Sequence, residues 1–156
     1  MNMCDRILLV DDEEGICKIL GISLEDNGYE VYTACNGEEA LKIFREKNPP
    51  IVLTDIKMPG MDGIELLRRI KRESPETEVV MITGHGDMNL AIKSLKHEAT
   101  DFVTKPINDD VLEIALNRAK ERIRMRRQLK NYTENLERLV GEKTRKLLEA
   151  ERMAAV

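Results

Sequence analysis

Five short apolar runs alternate with segments of helical periodicity along the first 110 residues, and this alternation restricts the fold more than any other feature. The runs are bounded by polar turns, are rich in β-branched side chains and lie at residues 7–10, 31–34, 51–54, 79–82 and 102–103. Nearly continuous apolar strands joined by amphipathic helices are typical of a parallel sheet, because right-handed crossovers cover both of its faces with helices. The pattern therefore predicts an α/β domain with a doubly wound, five-stranded parallel sheet.

The last part of the sequence is predicted to form one long helix. From about residue 108 onward it contains no Pro, and Gly141 is its only Gly. Asn108 is a suitable N-cap, and the acidic residues Asp109 and Asp110 favour a helix N-terminus. A helix of about 49 residues would be roughly 70 Å long, which is more than a small domain can cover. We therefore expect most of this helix to have another partner.

An apolar seam in this helix predicts a parallel two-stranded coiled coil. Spacings of four and three residues, typical of such a seam, relate Met125, Leu129, Tyr132, Leu136 and Leu139. The apolar register then shifts to Leu147, as a four-residue stutter would produce. We expect one domain at residues 1–120, a coiled-coil segment at residues 121–156 and a homodimer through residues 112–156. The alternative is a helix that folds back on its own domain.

The composition argues against several classes of function. The chain of 156 residues has no Trp, two Phe and three Tyr, so an aromatic stacking platform for single-stranded nucleic acid is disfavoured. The apolar runs are too short to cross a membrane, and the first residues do not have the pattern of a signal peptide. Three widely spaced Cys residues without a CxxC pair indicate neither a disulfide framework nor a zinc site. These features predict a cytoplasmic protein that does not contact membranes.

The charge is distributed unevenly within a net charge of −4. Residues 1–110 contain 13 basic and 22 acidic side chains, whereas residues 111–156 contain 12 basic and 7 acidic ones. Part of the second excess is a basic run between Arg118 and Lys130. Such a run is either a nucleic-acid patch or the solvated part of a helix. We favour the solvated helix because no recognition module follows the run, and we do not expect direct nucleic-acid binding.

Polar side chains with distinct chemistry follow four of the five predicted strands. Asp11 and Asp12 come after the first strand, Asp55 after the third, Thr83 after the fourth and Lys105 after the fifth. Ligands of open parallel sheets bind at the carboxyl ends of the strands. A single Asp at such a position is most often a turn or cap residue, but five polar residues at matching strand ends predict a functional site.

Three carboxylates close together repel one another, and each raises the pKa of the others unless a cation neutralises them. Hard divalent cations prefer oxygen ligands, and Mg²⁺ in particular keeps several waters and takes few protein ligands. The cluster of Asp11, Asp12 and Asp55 therefore predicts a magnesium site, with the ammonium of Lys105 as a second positive charge beside it.

Four sequence segments at these strand ends together resemble the receiver domain of two-component response regulators. They are residues 10–14 (VDDEE), 54–63 (TDIKMPGMDG), 81–86 (MITGHG) and 101–106 (DFVTKP). The resemblance covers residues 5 to about 120, and its specificity comes from the order of the segments. It implies a flavodoxin-like fold and a cis peptide bond before Pro106.

The resemblance also implies the chemistry of the site. Asp55 would be the phosphoacceptor, and it would bind Mg²⁺ together with Asp12 and the backbone carbonyl of Lys57. Asp11 would contribute through a water molecule, and Lys105 would pair with the phosphoryl oxygens. Such a domain is a regulatory phosphoacceptor rather than an enzyme with an external substrate. A metal-dependent phosphohydrolase is disfavoured, because Lys57 stands where its acid/base residue would be expected.

Five residues receive further roles from the same resemblance. Thr83 would be the switch hydroxyl, and Phe102 would be the aromatic residue that moves with it. Lys57, Gly84 and His85 would flank the phosphoryl group and tune its lifetime. The phosphodonor would be a histidine kinase or a phosphotransfer protein.

The output of this switch is predicted from the helical tail. Residues 136–156 resemble the coiled coil that leads into the dimerisation helix of sensor histidine kinases, so we expect the switch to control a kinase. Coiled coils of similar composition also precede the output domains of transcription regulators, which is one alternative. The other is a docking or dimerisation module that uses the receiver fold without phosphoryl chemistry.

Overall fold

A five-stranded parallel sheet forms the centre of the structure, a computed structural model that describes residues 5–154. The strands are β1 (Arg6–Val10), β2 (Glu30–Ala34), β3 (Ile51–Asp55), β4 (Glu78–Thr83) and β5 (Asp101–Thr104). The helices are α1 (Glu14–Asp26), α2 (Gly37–Lys47), α3 (Gly63–Glu73), α4 (Met88–Lys96) and α5 (Asp109–Ala154). The strand order is β2-β1-β3-β4-β5, with every neighbouring pair parallel. The predicted α/β fold, flavodoxin-like with a long C-terminal helix, is confirmed.

Helices cover both faces of the sheet. Successive side chains of each strand point to opposite faces, so both sets of side chains are buried. On β1, Ile7 and Leu9 belong to one apolar cluster, which also contains the buried residues of α1 and of the first part of α5. Leu8 and Val10 belong to a second cluster, which contains the buried residues of α2 and α3. Because both faces are covered by helices, the strands are continuous apolar runs and do not alternate between apolar and polar residues.

The helical periodicity predicted from the sequence is displaced in two helices. The spacing of Ile16, Ile19, Leu20 and Leu24 in the sequence is typical of one apolar helix face, but the side chain of Ile19 is 75% exposed. The buried face of α1 is instead formed by Cys17, Leu20, Gly21 and Leu24. A buried thiol and a glycine thus occupy positions that an apolar periodicity does not mark. Leu95 in α4 is likewise 41% exposed.

Helix α5 begins where its cap residue predicts. The side chain of Asn108 accepts a hydrogen bond of 2.9 Å from the backbone N–H of Asp110. The next turns pack on the sheet, because their apolar residues Leu112, Ala115, Leu116, Ala119 and Ile123 are all buried in the first cluster. These side chains face their own domain, so residues 112–123 offer a second chain only the other side of α5, and the homodimer through residues 112–156 stays a prediction.

The chain divides into two compact units, Met1–Ile123 and Arg124–Val156. In the second unit, the five seam residues expose between 44% and 66% of their surface: Met125, Leu129, Tyr132, Leu136 and Leu139. The exposed seam of the predicted coiled coil therefore begins after Ile123. Among residues 5–154, no helix combines the length and the apolar character that crossing a bilayer requires.

The cysteines that the structure describes are free thiols. Cys17 is buried, and its thiol lies 3.4 Å from the backbone oxygen of Asp11. Burial, together with the nearby negative charge of Asp11, raises the pKa of Cys17 to about 11. Cys17 is therefore a packing residue rather than a reactive thiol. Cys35 is exposed, and Cys4 lies outside the described residues.

Part of the basic run makes contacts within the first unit. Arg118 forms an ion pair of 2.9 Å with Asp101, at the start of β5. The ammonium of Lys120 lies 4.9 Å from the centre of the Tyr29 ring, a distance at which a cation is attracted to an aromatic face. These residues thus attach α5 to its own domain in addition to any interaction with solvent.

A buried carboxylate forms a third attachment of α5. Glu78 is fully buried at the start of β4, and it accepts a hydrogen bond from the hydroxyl of Thr100. The Nε of Arg122 lies 3.1 Å from the same carboxylate oxygen, while 47% of the Arg122 side chain is exposed. Glu78 therefore joins β4, the residue before β5, and α5.

We expect Glu78→Ala to lower the free energy of unfolding by about 1 to 3 kcal/mol, because Thr100 would lose its buried acceptor. Arg122 is half exposed and can be rehydrated, which avoids the larger cost of stranding a buried charge. Urea unfolding would measure the change. Arg45→Ala breaks an ion pair with Glu73 between exposed side chains and should leave the midpoint unchanged. Equal midpoints for Glu78→Ala and the wild type would contradict a stabilising role for Glu78.

Candidate functional site

The candidate site lies at the carboxyl ends of β1 and β3. In the sheet, β2 and β3 are the two neighbours of β1 and lie on opposite sides of it. The order of the strands therefore reverses at β1. Such a reversal opens a crevice at the strand ends, and ligands of doubly wound sheets bind there. Asp11 follows β1 directly and Asp55 is the last residue of β3. The topology thus brings together two residues that are 44 positions apart in the sequence.

Three carboxylates converge in this crevice. One oxygen atom each from Asp11, Asp12 and Asp55 can be chosen so that all three lie within 4.8 Å of one another. Asp11 and Asp55 are buried, whereas Asp12 is exposed at the mouth. The Oδ1 of Asp11 accepts a hydrogen bond of 2.9 Å from the N–H of Glu13, whereas its buried Oδ2 faces the ammonium of Lys105.

Lys105 places a positive charge beside the two buried carboxylates. Its Nζ lies 3.1 Å from Oδ2 of Asp55 and 3.4 Å from Oδ2 of Asp11. The backbone N–H of Lys105 donates to the carbonyl of Thr83, which ties the end of β5 to the end of β4. The peptide bond between Lys105 and Pro106 is cis, as the resemblance implied. Lys105 is therefore held at the site by its backbone and by two ion pairs.

The pKa values of Asp11, Asp55 and Lys105 reflect burial and an excess of negative charge at the site. Burial raises the pKa of Asp55 and of Asp11, and Lys105 offsets this only partly. Burial alone would lower the pKa of Lys105, but its hydrogen bond to Asp55 and the attraction of both carboxylates raise it overall. The carboxylates are thus destabilised in their charged form, and added positive charge would relieve them.

Two backbone contacts fix the position of Asp55. The N–H of Ile56 donates to the carbonyl of Ile82 on β4, and the N–H of Gly63 donates to the carbonyl of Ile56 across the intervening loop. A Cβ atom at position 63 would lie only 2.0 Å from the backbone oxygen of Asp55. Gly63 therefore allows α3 to begin close against the end of β3. Its motif was noticed in the sequence, but this requirement for a glycine was not.

Of the predicted switch residues, Thr83 is the last residue of β4, and Phe102 is the second residue of β5. Thr83 is buried, and among the described residues its hydroxyl makes one long bond of 3.4 Å, to the carbonyl of Gly84. Phe102 is half-buried and packs against the second apolar cluster. His85 is exposed in the loop that follows β4.

Lys57 makes a contact that the sequence did not predict. Its Nζ lies 2.8 Å from Oδ1 of Asp87, which immediately precedes α4. An Asp before a helix is ordinarily interpreted as an N-cap, so the sequence contained no signal for this pairing.

The fold and this arrangement of acids and lysine define a receiver domain, and the chain belongs to the response regulator receiver domain family. The model of that family matches residues 7–117. Domains of this family are regulatory phosphoacceptors of two-component signal transduction. They bind Mg²⁺ at an acidic site and accept phosphoryl groups from histidine kinases.

Among curated proteins, the chain is similar to nitrogen assimilation regulatory protein NtrX of Azorhizobium caulinodans, with 42% identity over 82% of this chain. It is also similar to regulatory protein AtoC of Escherichia coli, with 33% identity over 87% of this chain. The matches cover 29% and 30% of those relatives, so the chain spans under a third of their length. A crystal structure of a receiver domain protein from Clostridium thermocellum superposes with a TM-score of 0.73 and 40% identity, covering 80% of this chain and 98% of that one.

Proposed function

We propose that this chain is a phosphorylation-dependent signalling switch in which Asp55 accepts a phosphoryl group from a histidine kinase or a phosphotransfer protein. The observation that carries the proposal is the placement of the Asp55 carboxylate, 3.1 Å from the Lys105 ammonium and within the cluster of three acids. A carboxylate is a competent nucleophile toward phosphorus. Phosphoryl transfer then needs mainly positioning and the neutralisation of spreading charge.

The residues at the site fit a magnesium ion. Asp12 and Asp55 would hold it directly with the backbone carbonyl of Lys57, and Asp11 would act through a water molecule. The oxygen-only donor set suits a hard cation, and so does the excess of carboxylate charge, which Lys105 offsets only partly. When bound, the ion supplies positive charge against the charge that spreads over the transferred oxygens.

The protein itself contributes orientation and charge. Asp55 is held by the backbone contacts of Ile56 and Gly63, so its carboxylate faces the crevice without reorganisation. Lys105 can exchange its contact with the Asp55 carboxylate for a contact with the incoming phosphoryl oxygens. The proposed transfer uses these groups alone, and we propose a regulatory phosphoacceptor rather than an enzyme toward other substrates.

Thr83 is proposed to read the phosphorylated state. Its hydroxyl has only a long bond to Gly84, so it loses little by turning toward a phosphoryl oxygen. A hydrogen bond to a charged group contributes about 1.5 to 3 kcal/mol, which shifts a two-state equilibrium by roughly 10- to 150-fold. Phe102 is half-buried and can occupy space that Thr83 leaves. Lys57, Gly84 and His85 are proposed to tune the lifetime of the phosphoryl group.

The switch is proposed to act on a dimeric helix. We assign residues 1–120 to the receiver and residues 121–156 to a coiled-coil linker, whose exposed seam begins after Ile123. The output that we favour is a histidine kinase, because residues 136–156 resemble the leader of its dimerisation helix. The second candidate is a transcription regulator, which is favoured by the similarity to NtrX and AtoC.

Labelling with a small phosphodonor tests the proposal and the role of the metal together. In the presence of Mg²⁺, intact-mass spectrometry should detect one added phosphate, and a chelator should abolish the label because three acids then repel the donor. Equal labelling with the chelator would contradict the metal role. A chain that takes no phosphate under either condition would instead support the docking module.

A further inference from the structure

The ion pair between Lys57 and Asp87 connects two loops on either side of the phosphoacceptor. Lys57 lies two residues after Asp55 in the loop before α3, and Asp87 lies four residues after Thr83 in the loop before α4. The two charged atoms are 2.8 Å apart. The Asp87 side chain is 14% exposed, whereas that of Lys57 is 68% exposed. Asp87 is thus the more constrained partner.

Asp87 occupies the N-cap position of α4, but its side chain does not cap the helix. By contrast, the equivalent side chains before α2 and α3 do so: Asn36 accepts from the N–H of Glu39, and Asp62 accepts from the N–H of Glu65, each at 2.8 Å. In α4 only the backbone carbonyl of Asp87 receives bonds, from the N–H groups of Leu90 and Ala91. The carboxylate of Asp87 therefore forms an ion pair with Lys57 instead of capping α4.

A glycine beside Asp87 makes room for its carboxylate. Residue 84 is a glycine, and a Cβ atom there would lie 3.2 Å from Oδ2 of Asp87, closer than an ordinary contact. Gly84 thus provides space beside the carboxylate. An Asp at this position is also chemically suited to cap α4, because its oxygen can accept from the second or third N–H of the helix. The third N–H, that of Leu90, already donates to the carbonyl of Asp87, so the cap is expected at the second, that of Asn89.

Phosphorylation would compete with Asp87 for Lys57. A phosphoryl group adds roughly two negative charges, and on Asp55 it would lie two residues from Lys57. We propose that Asp87 is a positioning residue with two alternative partners: it holds Lys57 in the unphosphorylated protein and caps α4 when the phosphoryl group attracts Lys57. This inference rests on the proposed phosphoacceptor function of Asp55, and it links the charge of the site to the first turn of α4.

Hydrogen exchange of the Asn89 amide, measured by NMR on the full chain, tests the two positions. Phosphorylation of the wild type, verified by intact mass, should slow exchange at this amide by about fivefold, as an N-cap does. Asp87→Asn retains a capping oxygen but loses the charge that binds Lys57, so it should show slow exchange before phosphorylation. Asp87→Ala can neither cap nor bind Lys57, and it should show fast exchange in both states.

A variant that requires no phosphate separates this inference from the proposed function. Lys57→Met removes the competing ammonium and should slow exchange at the Asn89 amide in the unphosphorylated chain, whereas Lys42→Met on the exposed surface of α2 should not. Unchanged exchange in Lys57→Met would overturn the alternation of Asp87, whether or not Asp55 is phosphorylated. Slow exchange in Lys57→Met combined with no labelling of the wild type would support the alternation and contradict the phosphoacceptor.

Discussion

Asp55→Asn should reduce phosphorylation of the chain to background. The amide has nearly the same shape as the carboxylate, so the backbone contacts of Ile56 and Gly63 should persist and the domain should stay folded. It is not a competent nucleophile, however, and it cannot form an acyl phosphate. Intact-mass spectrometry after treatment with a small phosphodonor and Mg²⁺ would measure the loss.

Asp62→Asn is the matched control for this result. Asp62 belongs to the same sequence segment and caps α3, a role that Asn performs equally well. This variant should therefore be labelled as fully as the wild type. If Asp55→Asn were labelled to the same extent as Asp62→Asn, the phosphoryl group would have to reside on another residue.

The second large effect is expected in the assembly of the chain. Full-length chain at high micromolar concentration should sediment as a dimer, and Leu136→Glu should make it a monomer. Leu136 lies in the middle of the exposed seam, and an apolar side chain buried at such a position contributes about 2 to 5 kcal/mol. Arg138→Glu changes the charge more but lies off the seam, so this variant should stay dimeric. A monomeric wild type would refute the coiled coil.

The direction of the two helices needs a separate measurement. With the native thiols replaced, a Cys at position 136 should crosslink to its twin under mild oxidation if the helices are parallel and in register. Truncation after Ile123 should leave a monomeric receiver, because the apolar residues of α5 before that point are buried in its own core. A dimer that forms no crosslink at position 136 would contradict parallel helices in register.

Much of this architecture follows from local sequence. The apolar β-branched runs predicted both ends of each strand to within about one residue. Strands buried on both faces are apolar at nearly every position, so their runs are easy to recognise. The convergence of Asp11, Asp55 and Lys105 was equally accessible, since parallel strands bring their carboxyl ends to one edge of the sheet. The chemistry of the site is therefore encoded by strand ends rather than by proximity in sequence.

What escaped prediction depends on contacts between distant elements. The buried pairing of Glu78 with Arg122 joins residues 44 positions apart, and a Glu at a strand start gives no sign that it is buried. Asp87 carried a misleading signal, because its position is that of a helix cap. The helical periodicity wrongly placed Ile19 on the buried face of α1, because that face contains Cys17 and Gly21 instead. In each case the deciding partner lies in another element.

The identity of the phosphorylated residue is the most direct test of the function proposed for this receiver. Reduction of an acyl phosphate with borohydride converts the modified Asp into homoserine, which tandem mass spectrometry can locate in a peptide. After phosphorylation in Mg²⁺, our account predicts homoserine at position 55. Homoserine at another acidic residue, or a phosphate that survives reduction on a different kind of side chain, would contradict it.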